Sequence, residues 1–205
     1  MKRTFSILIA LLGWFAVVAQ YFLMIENRVT TISETSIRFF SYFTILTNSL
    51  CAIYFTSISL LKPGQVPSSK QTSLLTPITV YITVVGLVYQ IVLRPLWEPQ
   101  GMQRIVDELL HSIIPAAIIV FWYFFGAIKD VKYSNAFSWL IYPIVYLILI
   151  LIRGHFSAFY PYPFIDVLKF GFNEVLKNTV FLMLLFVSLS LLFIFIGKKW
   201  GRQNA

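Results

Sequence analysis

A hydroxyl, an imidazole and a carboxylate are the parts of a nucleophilic site, and this chain carries all three inside apolar sequence. Residues 38–50, RFFSYFTILTNSL, hold Thr44, Thr47 and Asn48 within a stretch that reads as a membrane-spanning helix. A later apolar stretch opens with Asp107, Glu108 and His111. Asp107 and His111 are four apart, so on a helix the carboxylate can reach a ring nitrogen. Such a contact sets the tautomer and leaves the other nitrogen as a base. Ser41, Thr44, Asn48 and Cys51 follow three-four-three spacing and share one face, with Thr47 beside it. A threonine activated by a neighbouring histidine could attack an ester carbonyl.

Each residue also has a plainer role. Threonine and asparagine in membrane helices usually bond a backbone carbonyl or a neighbouring helix, at about 0.6 kcal/mol on average. Gln20 and Gln90 read as inter-helix hydrogen bonders of this kind. Arg94 and Arg153 suit interfacial snorkelling, or anchoring of a carboxylate or lipid phosphate by the guanidinium fork. His111 and His155 are the only histidines, and two imidazoles can in principle clamp a haem iron. His155, however, follows Arg153-Gly154 at a helix end, and nothing else marks a haem pocket. No cofactor and no metal are expected.

The element that must position these groups is a helix bundle in a membrane. Charged residues make up 12% of the chain and hydrophobic ones 59%, against roughly 25% charged in soluble domains. The apolar residues fall into six blocks, 5–24, 39–61, 76–94, 106–127, 138–153 and 178–197, each near the ~20 residues a bilayer crossing needs. The expected fold is all-α: one domain over 1–205, an integral membrane bundle of six transmembrane helices. The N-terminal block reads as a retained first helix rather than a cleaved signal, because its apolar run continues to residue 25. Nine Lys and Arg fall on the side of the termini and seven on the other, which places both termini in the cytoplasm. Seven of the eight acidic residues lie on the opposite, outer side, making it the chemically mixed face. The formal charge of +8 sits in short flanks beside the spans, so topology accounts for it and nucleic acid does not. The lone cysteine, Cys51, excludes an internal disulfide. Residues 62–73 read as the one linker, and residues 154–178 as a long aromatic outer loop, either a lid or an interfacial girdle.

With this threading Thr44 and His111 each lie about five residues inside the outer boundary, roughly 7 Å deep at 1.5 Å per residue. Two helices thus bring a hydroxyl and an imidazole to one level. Pro115, one turn beyond His111, would free a backbone carbonyl near the same place.

Three stretches, YFT at 42–44, LLHSIIP at 109–115 and YPYPFID at 160–166, together resemble the androgen-induced and androgen-dependent family of multi-pass membrane threonine hydrolases. The whole chain looks still more like that family's bacterial six-pass relatives. The resemblance implies a lipid ester hydrolase acting on branched fatty acid esters of hydroxy fatty acids, without metal. It puts the nucleophile on Thr44 and its partner on His111. In the family an acidic residue follows the threonine at three positions, whereas here Asn48 follows Thr44 at four, so the register also admits Thr47. The proline follows His111 at four residues rather than five. On this reading Asp107 orients His111, Asn48 or backbone N–H groups hold the oxyanion, and Arg153 holds a free carboxylate. The expected partners are a fatty-acid ester substrate and membrane lipids, in a bacterial plasma membrane. The rival expectation is a bundle that binds or transports a lipid or small molecule without chemistry.

Overall fold

The computed structural model describes residues 1–62, 69–126 and 131–200, so residues 63–68 of the expected linker at 62–73 lie outside the described residues, while 69–73 are already helix. All the elements among the described residues are helical. Five helices are long and apolar enough to cross a membrane: Lys2–Glu26, Ser73–Leu96, Gly101–Phe125, Asn135–Ser157 and Val167–Trp200. A sixth span results if a bent pair, Ile32–Phe39 and Phe43–Ser59, counts as one. The exterior is apolar, with Leu11, Phe22, Ile148, Phe181 and Leu184 all exposed, a surface compatible with hydrocarbon rather than water.

Helix α1 (Lys2–Glu26) packs on α3 (Phe43–Ser59) through Gly13. A Cβ built there would lie 3.1 Å from the Ala52 Cβ. Small residues at this crossing let the two backbones approach.

The expected span 39–61 is interrupted. A short helix α2 (Ile32–Phe39) meets α3 at a 71° bend. No proline breaks it. Ser41 turns its hydroxyl back onto the Ile37 carbonyl at 2.7 Å, competing with helix continuation. The Ser41 carbonyl released by the bend accepts from Tyr146 Oη at 2.8 Å. Tyr42 then takes an extended conformation and starts α3.

Two spans widen by one residue at equivalent places. Helix α4 (Ser69–Val88) runs into a π turn at Tyr89–Leu93, and α5 (Gly101–Glu108) into a π turn at Leu109–Ile113 that leads to α6 (Ile114–Phe125). In each, the residue before a proline donates five back: Arg94 N–H to the Tyr89 carbonyl, Ile114 N–H to the Leu109 carbonyl. Pro95 and Pro115 have no N–H, and their rings crowd the carbonyl four residues earlier. A wider turn accommodates that crowding.

A short α7 (Asn135–Trp139) leads into α8 (Ile141–Ser157), and the chain closes with α9 (Val167–Trp200). The expected outer loop 154–178 is therefore mostly helix, and the true connection is only residues 158–166. Asp166 explains the early restart: its Oδ1 accepts from Leu168 N–H at 3.0 Å and Lys169 N–H at 3.1 Å, an N-terminal cap. The helix then kinks at Gly171, whose φ of 75° a residue with a side chain rarely adopts. The connection is held down at both ends, by Asn178 Nδ2 donating to the Phe164 carbonyl at 2.9 Å and by the Tyr160 ring over Gly154.

Candidate functional site

A cavity of about 460 Å³ lies among α1, the α2–α3 bend, the two π turns and the 158–166 connection. That volume falls in the range of small-molecule pockets. Thr44, Asp107 and His111 all line it, together with Tyr89 and Tyr162.

Thr44 sits in the first turn of α3, where backbone N–H groups have no helical partner. Tyr162 supplies one. Its Oη accepts from Thr44 N–H at 3.1 Å and lies 3.3 Å from Thr44 Oγ1. The Tyr162 ring is stacked on Phe164 at 5.2 Å and edges onto Tyr42 at 5.7 Å. Burial pushes the Tyr162 hydroxyl up to about 12, so it keeps its proton at neutral pH. Pro161 and Pro163 flank it and line the same cavity, which makes this connection a wall of the cavity.

His111 is held at one ring nitrogen and across one ring face. Its Nδ1 lies 3.0 Å from the Asp107 carbonyl and 3.2 Å from Asp107 Oδ1. Tyr89 stacks on the ring at 4.0 Å, nearly parallel at 11°. The Tyr89 hydroxyl donates to Asp107 Oδ2, so one buried carboxylate joins both rings. These contacts leave Nε2 as the ring nitrogen with no partner among the described residues. Gly86 on α4 lets the turn come this close: a Cβ there would lie 3.2 Å from the His111 carbonyl. The hydrogen bonds of Thr44 and His111 do not join the two residues to each other.

Asn48, expected as a possible oxyanion donor, has its amide engaged elsewhere. Nδ2 donates to the Thr44 carbonyl at 2.9 Å and to the Leu110 carbonyl at 3.3 Å. The second carbonyl needs it. In an α-helix Leu110 would accept from Ile114, whose N–H goes instead to Leu109; the π-helical donor would be Pro115, which has none. Asn48 thus repairs the backbone below His111, and its own Oδ1 is buried without a partner among the described residues.

Thr47, the other threonine the register admits, is fully buried and bonds Tyr142 Oη at 3.2 Å. It faces α8 and is not among the cavity residues. Arg153 is also outside the cavity. Glu34 draws it away: Arg153 Nη2 and Arg38 Nε both reach Glu34 Oε1 at 2.8 Å. A carboxylate bound at Arg153 would not sit beside Thr44. His155 is exposed at the end of α8, away from the cavity that His111 lines, so the two imidazoles do not face a common ligand. Among the described residues no cluster of three or more His, Cys, Asp or Glu could hold a metal ion. The two glutamines read as inter-helix contacts do bridge elements, Gln20 accepting from Gln103 and Gln90 donating to Ser112, each at 2.8 Å.

Tyr89 and Tyr162 were not singled out as site residues from sequence. Tyr89 carries a signal in hindsight, since it stands six residues before Pro95 as Leu109 does before Pro115. Tyr162 is pinned between two prolines. No protein-family model, curated protein or solved structure matches the chain. The resemblance to the threonine hydrolases therefore stands on the three quoted stretches alone.

Proposed function

We propose that this chain is a six-pass membrane protein, both termini cytoplasmic, that hydrolyses a fatty-acid ester with Thr44 as nucleophile and His111 as its base. One observation carries the reading: Thr44 and a His111 oriented by Asp107 line the same cavity, with the second ring nitrogen free. In the reaction the Thr44 hydroxyl leaves Tyr162 and turns toward Nε2. The imidazole takes the proton as Oγ1 bonds the ester carbon, and the carbonyl electron pair moves onto oxygen. Thr44 N–H, released from Tyr162 Oη, and the Tyr162 hydroxyl are the donors beside Thr44 Oγ1 that would hold that oxygen. Collapse expels the alcohol, which takes the proton from His111. Water then repeats the sequence on the acyl-threonine, releasing the acid. Asp107 favours the imidazolium formed in both halves.

A second reading, a bundle that binds or moves a lipid without chemistry, has one observation in its favour: the Thr44 hydroxyl is engaged by Tyr162 and not by His111. Intact-mass spectrometry after treatment with a fluorophosphonate separates the two. One adduct on the Thr44 peptide, lost in both Thr44→Val and His111→Ala, is expected for the hydrolase. No adduct, under conditions that modify a known membrane hydrolase, refutes it and favours the binding bundle.

A further inference from the structure

Outside the cavity, the 71° bend swings α2 out of line with α3, and Tyr21 of α1 holds it by bonding Ser36 and packing on Phe39. Between α2 and α8 runs a second depression of about 580 Å³. Its walls are Ile37, Phe40, Val145, Leu149 and Ile150, and Arg153 lines it too. Ile37, Phe40, Val145 and Leu149 are also among the exposed large hydrophobics, so the depression opens outward. An outward-facing groove on a membrane span meets acyl chains.

The charge beside Arg153 is not balanced. Arg153 and Arg38 share a single carboxylate, Glu34, and even a single oxygen of it. Two guanidiniums against one carboxylate leave a net +1. Both lie on the Phe159 ring, their Cζ atoms 4.5 Å (Arg38) and 5.1 Å (Arg153) from its centroid. Arg38 uses only Nε in its hydrogen bond to Glu34, and among the described residues neither of its Nη groups has an acceptor. A planar donor pair of this kind suits a phosphate. An apolar groove whose lining ends at Arg153, one of a guanidinium pair with a single positive charge left over, has the two-part chemistry of a lipid.

We infer that the α2–α8 groove seats one acyl chain of an anionic phospholipid whose phosphate docks on the Arg38–Arg153 pair. This rests on the spans crossing a bilayer, but not on the hydrolase chemistry. The lipid covers the bend that positions Thr44, from the side opposite the cavity.

The test is native mass spectrometry of the full chain in maltoside detergent, titrated with dioleoyl phosphatidylglycerol or with dioleoyl phosphatidylcholine, which has the same chains and no net charge. Phosphatidylglycerol is expected to bind one per chain and about fivefold more tightly. Arg38→Gln leaves a neutral Glu34–Arg153 pair and should remove that preference. Glu34→Gln raises the net charge to +2 and should strengthen it, a change of opposite sign that loss of fold cannot mimic. Val145→Trp, which fills the groove, should weaken both lipids. Equal binding of the two lipids by the wild type overturns the proposal, as does a Glu34→Gln variant that binds phosphatidylglycerol no better. Displacement of phosphatidylglycerol by millimolar inorganic phosphate would assign the arginines to a free anion and equally overturn it.

Discussion

Gly86 gives the sharpest test of how His111 is placed. A Cβ at this position would lie 3.2 Å from the His111 carbonyl and 3.3 Å from the Pro115 Cβ, where ordinary contact begins near 3.4 Å. Alanine therefore asks its neighbours to move by only a few tenths of an ångström, and it recovers about 1 kcal/mol of helix propensity relative to glycine. Gly86→Ala should sit within about 1 kcal/mol of the wild type and react with fluorophosphonate within a few-fold of its rate. Isoleucine adds a branched side chain where there is no room. Overpacking of this kind costs about 1–3 kcal/mol, and it must part α4 from the turn that carries His111. A catalytic group misplaced by ~1 Å loses on the order of 10²-fold in rate. The assay pairs detergent unfolding curves with the rate of adduct formation followed by intact mass. Wild-type labelling in Gly86→Ile, with the protein folded, would refute the claim that His111 acts from this turn.

Three further outcomes follow from the same geometry. Thr47→Val removes one hydroxyl contact to Tyr142 on the side facing α8. It should leave labelling unchanged at a cost of about 1 kcal/mol; loss of the adduct in this variant alone would move the nucleophile to Thr47. Tyr89→Phe keeps the ring stacked on His111 and deletes the hydroxyl on Asp107. It should destabilise by about 1–3 kcal/mol and slow labelling about tenfold without shifting the modified residue, which mass mapping checks. Ala158 ends α8 with φ 53° and ψ 23°, a left-handed conformation. Ala158→Gly should raise stability in detergent unfolding by about 0.5–1 kcal/mol, because the strain relieved exceeds the added chain entropy.

Much of the fold is legible as a pattern of hydrophobic runs. The blocks at 76–94 and 106–127 correspond to Ser73–Leu96 and Gly101–Phe125, because a run long enough to cross hydrocarbon is stable there only as a helix. The break between α2 and α3 is not legible in the same way. FFSYFT carries no proline, glycine or charge to mark a break, and the bend arises from two hydrogen bonds, one local from Ser41 and one from Tyr146 more than a hundred residues away. Residues 167–178 look like loop because they are polar and aromatic, yet Asp166 caps a helix that extends through them.

The candidate site divides along the same line. Four-residue spacing was enough to pair Asp107 with His111, since that contact lies within one stretch of helix. Spacing alone could not choose between Thr44 and Thr47. Three residues on an α-helix leave them about 60° apart, and only the rotation of α3 in the bundle turns Thr44 to the cavity and Thr47 to Tyr142. Tertiary contacts also took Arg153 to Glu34 and Asn48 to the carbonyl orphaned beside Pro115, and brought Tyr89 and Tyr162 against His111 and Thr44. By itself the sequence determined which polar residue types stand within the apolar runs. Which of them meet was decided by packing, because a buried polar group takes whichever partner the neighbouring helix presents.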